Sequence, residues 1–147
     1  MVKVFVYGTL KKDFYNHSRW GMEEAEFLGT KILTGAKLFS LGPYPCATIS
    51  DNKNDTIQGE VYDIPDTTFQ QISQMEIGAG YSLRTINIDG EDINIFVFNN
   101  EPEAEQIMDG VWKWKNVTGV VKKPQDGIIE ILMEQLIKYQ VVIHVSD

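Results

Sequence analysis

Cysteine and histidine are scarce in this chain of 147 residues, which contains one Cys and two His. With Cys46 alone, no disulfide can form within the chain, and a reducing compartment is the simplest setting for the protein. One Cys and two His are also too few for a zinc site built from Cys and His ligands. We therefore expect a fold stabilised by its hydrophobic core, for which this length suffices.

Basic residues are few as well. The chain has 13 Lys and Arg against 21 Asp and Glu, and its formal net charge is −8. A nucleic-acid-binding protein needs a basic surface that neutralises phosphates. The charge balance therefore argues against a nucleic-acid partner.

Long apolar runs are missing too. The longest run without a charged residue is Leu38–Ser50, and it contains two prolines and a glycine. A membrane-spanning helix needs about 20 apolar residues, and the first residues show no signal-peptide pattern. We expect a cytoplasmic protein with no membrane partner.

Runs of β-branched and aromatic residues predict three strands in the first part of the chain: Val2–Tyr7, Leu28–Phe39 and Ile57–Ile64. The first is expected to be buried and to end at Gly8, and Gly35 interrupts the second, as at a bulge. Residues 11–27 are expected to form a loop with one helical turn, and residues 51–55 a turn. The two prolines of Gly42–Pro45 should prevent that segment from continuing any regular element.

A helix is predicted from Pro65-Asp66 to the region of Gly78 and Gly80. Asp66 or Thr67 can cap its first turn. Apolar residues recur at three-residue spacing on one face of this helix: Phe69, Ile72 and Met75.

A hairpin is predicted next, because Asp89-Gly90 separates two alternating runs, Tyr81–Ile88 and Ile93–Phe98. Asp-Gly favours the positive φ angles of a tight hairpin turn. Strands and helices do not alternate regularly along the chain, which indicates an α+β fold. We expect a small, mixed and partly closed β-barrel flanked by helices.

The end of the chain differs in charge from the rest. Residues 1–110 contain eight basic and 17 acidic residues, whereas residues 111–123 carry a net +4 together with two Trp. Residues 99–110 are expected to be an acidic loop or helix, 127–138 a helix, and 141–145 a short strand. The basic stretch could contact a partner or an anionic surface; the simpler interpretation is that its Trp side chains pack on the barrel.

Conventional nucleophiles are poorly placed in this sequence. Cys46 lies between Pro45 and Ala47 with no cationic neighbour to lower its pKa, which favours a structural cysteine. Neither a Gly-x-Ser-x-Gly motif nor a phosphate-binding Gly-rich loop is present. His144 lies in an apolar predicted strand, and nothing marks His17 in its polar loop as catalytic.

Two other segments are candidates for chemistry. In Tyr7–Leu10 a buried strand ends at a glycine, where successive N–H groups without ladder partners can bind an anion; alternatively, Gly8 simply ends the strand. Glu76 falls near the C-terminus of the predicted helix. Partial burial there would raise its pKa toward the range useful for proton transfer, whereas a solvated Glu76 would have no such role.

Five motifs in order along the chain resemble the γ-glutamylcyclotransferase family (AIG2-like, or γ-glutamylamine cyclotransferase-like). They are FVYGTL (Phe5–Leu10), GPYP (Gly42–Pro45), GEVY (Gly59–Tyr62), Glu76 itself and YSLR (Tyr81–Arg84). The last has one residue more between Tyr and Arg than the family pattern. The resemblance extends over about residues 1–114, so residues 115–147 are expected to be a C-terminal extension, a helix and a short strand, that packs on this domain or follows it.

The resemblance implies an enzyme that releases 5-oxoproline from a small γ-glutamyl amide or peptide. Glu76 matches the catalytic general acid and base of the family, and the N–H groups of Gly8, Thr9 and Leu10 would bind the substrate. Tyr7, Tyr44 and Tyr81 would line the pocket, and no metal or other cofactor is required. The alternative is a small-ligand or protein-binding module that uses the same pocket without turnover; the oligomeric state stays open.

Overall fold

The computed structural model describes residues 1–113 and, beyond them, the backbone of two strands. In chain order the elements are β1 (Val2–Val6), α1 (Tyr15–Arg19), a 3₁₀ helix (Met22–Glu24), β2 (Glu26–Thr34), β3 (Ala36–Ser40), β4 (Pro45–Ile49), β5 (Thr56–Ile64), α2 (Asp66–Gly78), β6 (Ser82–Ile88), β7 (Glu91–Val97), β8 (Glu105–Gln106), β9 (Thr118–Lys122) and β10 (Val142–Ser146). In the part of the chain that the structure describes, no helix is long and apolar enough to cross a membrane.

Two sheets build the barrel. The larger has the strand order β2-β5-β1-β7-β6, and the smaller has the order β4-β3-β8. The backbone N–H of Phe98, just after β7, donates to the Ala47 carbonyl of β4 at 2.9 Å and so joins the two sheets. The predicted class, α+β with a mixed and partly closed barrel, is confirmed.

The central strand β1 is buried on both faces. It pairs antiparallel with β5 and parallel with β7. Phe5 and Tyr7 belong to the core inside the barrel, whereas Val4 and Val6 pack in a second core with Ile72 of α2. Burial on both faces explains why this segment reads as an unbroken apolar and aromatic run apart from one lysine.

The predicted hairpin is confirmed. β6 and β7 pair antiparallel from Ile88↔Glu91 to Ser82↔Val97. Asp89 and Gly90 both have positive φ, 53° and 85°, as the tight turn requires.

The single strand predicted at Leu28–Phe39 is wrong. The structure divides it at Gly35, whose φ is 78°, into β2 and β3, which belong to different sheets. The Gly35 N–H donates to the Asp55 carbonyl at 2.7 Å and turns the chain. A register shift does occur, but it lies between Phe27 and Gly29.

Two expectations about local chain breaks also need correction. Pro45 is the first residue of β4, a position where a strand tolerates proline. The α2 helix has Pro65 at its N-cap position and no side-chain cap, so neither Asp66 nor Thr67 caps it. The Asp66 carboxylate instead pairs with the Met1 amino group at 3.2 Å.

Other parts of the fold match their predictions. The predicted helical turn between residues 11 and 27 is α1, followed by the 3₁₀ helix, and α2 ends at Gly78. Residues 99–110 form a loop with the two-residue strand β8 rather than a helix.

Just after residue 110, the side chain of Trp112 packs inside the barrel. Trp112 is buried, with 1% of its surface exposed, and belongs to the barrel core, which confirms packing for this tryptophan. The predicted last strand is β10, which pairs parallel with β9, a strand that was not predicted. Trp114 and the helix predicted at 127–138 lie outside the described residues.

Candidate active site

A cavity of about 250 Å³ lies where the end of β1, the start of β4 and the C-terminal turn of α2 meet. Its walls include every residue that the sequence suggested for the site: Tyr7, Gly8, Thr9, Leu10, Tyr44, Glu76 and Tyr81. The structure thus brings these residues together, while their roles in catalysis and binding stay predictions. The volume is at the small end of ligand pockets and fits a metabolite rather than a long peptide.

One wall of the cavity is the turn Gly8–Lys11, which follows β1 and is called here the cavity turn. The Lys11 N–H donates to the Gly8 carbonyl at 3.1 Å, which places Thr9 and Leu10 at the centre of the turn. Within residues 1–113 no acceptor pairs with the backbone N–H groups of Gly8, Thr9 and Leu10. Successive free N–H groups of this kind can bind an anion, as the sequence analysis expects for this turn.

Gly8 is where two of the sequence motifs meet. A Cβ atom on Gly8 would lie 2.6 Å from Cγ of Pro45, closer than any side chain tolerates. The Leu41 N–H donates to the Tyr44 carbonyl at 2.9 Å, and this turn places the Pro45 ring against the cavity turn. Tyr44 itself keeps 42% of its surface exposed while it lines the cavity.

The hydroxyl groups of Tyr7 and Tyr81 are occupied by the backbone. Tyr7 donates to the Phe96 carbonyl at 2.6 Å and accepts the Ala47 N–H at 3.1 Å, and Tyr81 donates to the Pro45 carbonyl at 2.5 Å. Burial raises the pKa of both phenols well above their usual value, so they stay neutral. These two side chains form rigid walls and have no proton left to donate to a ligand.

Glu76 lies on α2, close to the end of the helix. The chain turns after Gly78, and the Tyr81 N–H donates to the Glu76 backbone carbonyl at 3.0 Å. Its carboxylate forms no ion pair and accepts no hydrogen bond within residues 1–113. Burial raises the pKa of Glu76 to about 7, because the charged form has lost water without gaining a partner.

A comparison with known families matches the model of the family described as "Gamma-glutamyl cyclotransferase, AIG2-like" to residues 4–114. The chain belongs to this family. A Pyrococcus horikoshii protein with a provisional gamma-glutamylcyclotransferase name is 32% identical over 110 residues, which are 74% of this chain and 89% of that protein. The gamma-glutamylcyclotransferase family protein YtfP of Escherichia coli is 34% identical over 85 residues, 58% of this chain and 71% of YtfP.

Solved structures of these family members have the same fold. The crystal structure of the Pyrococcus horikoshii protein superposes with a TM-score of 0.66 at 29% identity, covering 76% of this chain and 89% of that one. The solution structure of YtfP gives a TM-score of 0.59 at 28% identity, covering 78% and 99%. An AIG2-like protein from mouse, at 18% identity and a TM-score of 0.64, shares the fold alone.

Two other residues of this γ-glutamyl cyclotransferase family member that the sequence raised, Cys46 and Arg84, do not line the cavity. Cys46 is fully buried, and burial raises the pKa of its thiol to about 12, so it is no thiolate nucleophile. Arg84 donates to the Asn99 side chain at 2.7 Å on an exposed part of the hairpin. For His144 only the backbone of its strand is described.

One polar residue of the cavity wall, Asn16, was missed by the sequence analysis, and a second polar residue, Glu60, lies beside the cavity turn without lining the cavity. Asn16 of α1 lines the cavity and donates to Thr9 Oγ1 at 2.9 Å. Glu60 of the GEVY motif accepts the Lys12 N–H and the Tyr62 hydroxyl, each at 2.9 Å. No signal in the sequence linked Asn16 to the turn, because the contact depends on how α1 folds back. Among the described residues, no group of three or more His, Cys, Asp or Glu could hold a metal ion.

Proposed function

We propose that this protein is a γ-glutamyl cyclotransferase that releases 5-oxoproline from a small γ-glutamyl amide or peptide, with Glu76 as general acid and base. The observation that supports this most is the buried, unpaired carboxylate of Glu76 in the same small cavity as the free N–H groups of the cavity turn. Membership in the family supports the same activity.

The reaction needs no external nucleophile. The α-amine of the substrate attacks its own γ-carbonyl carbon, a new C–N bond closes the five-membered ring, and the C–N bond to the departing amine breaks. Because the attack is intramolecular, the cavity mainly has to hold the glutamyl chain in the ring-closing conformation. The cavity is small enough to favour such a folded pose.

Glu76 would carry one proton through the whole cycle. The ionised carboxylate takes a proton from the α-amino group, and the resulting acid gives it to the leaving amine, so the enzyme ends as it began. A pKa of about 7 suits both steps, since both protonation states are populated near neutral pH.

The cavity turn would supply the anion site. The cavity walls contain no Lys or Arg among the described residues, so neutral donors must bind the α-carboxylate or the oxyanion. The N–H groups of Gly8, Thr9 and Leu10 are free for this purpose, whereas the hydroxyl protons of Tyr7 and Tyr81 are not. We assign Tyr7, Tyr44 and Tyr81 to shaping the pocket around the substrate.

We further propose that residues 1–114 form the catalytic domain and that residues 115–147 are an extension to it. The near absence of cysteine supports a reducing compartment, the cytoplasm.

The test is turnover of a panel of γ-glutamyl amides and γ-glutamyl amino acids, with 5-oxoproline and the free amine measured in equal amounts. The matched control substrates carry an acetylated α-amine, which cannot attack, and should give no product. Binding of the panel without any 5-oxoproline would exclude the cyclotransferase and support the binding module instead.

A further inference from the structure

Two consecutive residues of α1 contact two consecutive residues of the cavity turn. The Asn16 amide donates to Thr9 Oγ1 at 2.9 Å, and His17 Nδ1 bonds to the Leu10 carbonyl at 2.8 Å. The carbonyl can only accept, so Nδ1 of His17 carries the proton. His17 is buried, whereas Asn16 reaches the cavity wall. The helix therefore contacts both the backbone and the side chain of the turn.

The bond from Asn16 fixes the direction in which the Thr9 hydroxyl can donate. A hydroxyl has one proton and two lone pairs. Because Oγ1 accepts a hydrogen from Asn16, its own proton must point elsewhere, and within residues 1–113 it has no acceptor. Thr9 lines the cavity, so this proton is available to a ligand there.

We propose that Asn16 is a positioning residue that orients the Thr9 hydroxyl toward the α-carboxylate of the γ-glutamyl group. This inference rests on the proposed function, which supplies the carboxylate. The hydroxyl adds a fourth donor to the N–H groups of Gly8, Thr9 and Leu10. No cationic side chain lines the described part of the cavity, so each neutral donor carries a large share of anion binding.

Kinetics of single and double variants test whether Asn16 acts through Thr9. Asn16→Ala and Thr9→Val should each raise KM about ten-fold with kcat changed less than about three-fold, because the carboxylate is bound alike before and during the reaction. The double variant should be no worse than Thr9→Val alone, and Thr9→Ser should keep near wild-type KM. Additive losses, or an unchanged KM in Thr9→Val, would overturn the proposal.

Asn94→Ala is the matched control. Asn94 is likewise a half-buried asparagine that donates one hydrogen bond, to the Lys3 carbonyl at 3.0 Å, but it lies outside the cavity walls. Its loss should lower thermal stability about as much as Asn16→Ala does while leaving KM unchanged. An equal rise of KM in Asn94→Ala would show that Asn16 acts only through stability.

Binding of the product separates this inference from the proposed reaction. By calorimetry, the wild type should bind 5-oxoproline at least ten-fold more tightly than 5-oxoproline carboxamide, which lacks the negative charge. Asn16→Ala should reduce that preference, and Asn94→Ala should not. A wild type with this preference but no turnover would refute the cyclotransferase alone. Turnover without the preference, or no binding of 5-oxoproline, would refute the role of Asn16.

Discussion

Two glutamates lie on either side of the cavity turn, and they differ in whether their carboxylates have hydrogen-bond partners among the described residues. On the β5 side, the half-buried Glu60 accepts hydrogen bonds from the Lys12 N–H and the Tyr62 hydroxyl. On the cavity side, the half-buried Glu76 has no partner within residues 1–113, and burial raises its pKa to about 7. The difference in partners therefore suits one glutamate to fixing the backbone and the other to exchanging protons.

The largest expected effect is on turnover in Glu76→Gln. The amide cannot accept and return a proton, so kcat/KM should fall at least 10²–10⁴-fold, as for loss of a general acid–base group. Steady-state production of 5-oxoproline measures this. Glu60→Gln, the matched variant on the other side, should lose less than about ten-fold. Full activity in Glu76→Gln, or equal losses in both variants, would contradict the assigned difference.

The pH dependence of kcat/KM should report Glu76. Only the ionised carboxylate accepts a proton, so activity should fall as the pH drops below about 7, by ~100-fold between the plateau and pH 5. Initial rates between pH 5 and 8 measure this dependence, after correction for substrate ionisation. Glu60→Gln should keep the same profile. A flat profile in the wild type would exclude Glu76 as the base.

Stability should change in the opposite direction from activity in Glu76→Gln. The folded protein holds the Glu76 proton up to about pH 7, whereas the unfolded chain releases it near 4.5. The folded state thus binds more protons over this range, and the wild-type free energy of unfolding falls as the pH rises through it. Urea denaturation should show Glu76→Gln to be about 3 kcal/mol more stable than wild type at pH 8 and nearly equal at pH 4.5. A less stable variant at pH 8 would show that the carboxylate has a partner.

The smallest effect is expected for stability in Glu60→Gln. The amide keeps an acceptor oxygen but loses the charge that strengthens both hydrogen bonds, so the free energy of unfolding should fall by about 1 kcal/mol. Urea denaturation at pH 8 measures this value beside Glu76→Gln, and the two variants should shift in opposite directions. If Glu60→Gln and Glu76→Gln both raised the free energy of unfolding, the proposed difference between the two carboxylates would be refuted.

The sequence predicts most of the elements whose patterns are local. The β6–β7 hairpin follows from Asp89-Gly90, and α2 follows from its apolar spacing up to Gly78. The division of the segment Leu28–Phe39 into β2 and β3 at Gly35 is harder to predict, because the residues on both sides of Gly35 favour strands. The two strands differ in the sheet to which each belongs. The sheet that a strand joins depends on pairing between segments distant in sequence, and a local pattern contains no information about such pairing.

The same limit applies to the site. Tyr7–Leu10 and Glu76 could be selected because each belongs to a motif of the family. Asn16 could not, because its contact with Thr9 depends on the path of the loop that carries α1. Nor could the sequence show that the hydroxyls of Tyr7 and Tyr81 donate hydrogen bonds to backbone carbonyls, since those carbonyls belong to other strands.

The central place of β1 in the larger sheet also bears on the biosynthesis of the protein. β1 leaves the ribosome before both of its neighbours; the first, β5, ends at Ile64, and the second, β7, begins only at Glu91. Pairing between such distant segments must overcome the entropy of closing long loops. A nascent chain that contains the whole cavity turn and Glu76 also contains β5 but still lacks β7, the second strand that pairs with β1. Ligand binding and completion of the barrel should therefore arise together, late in translation.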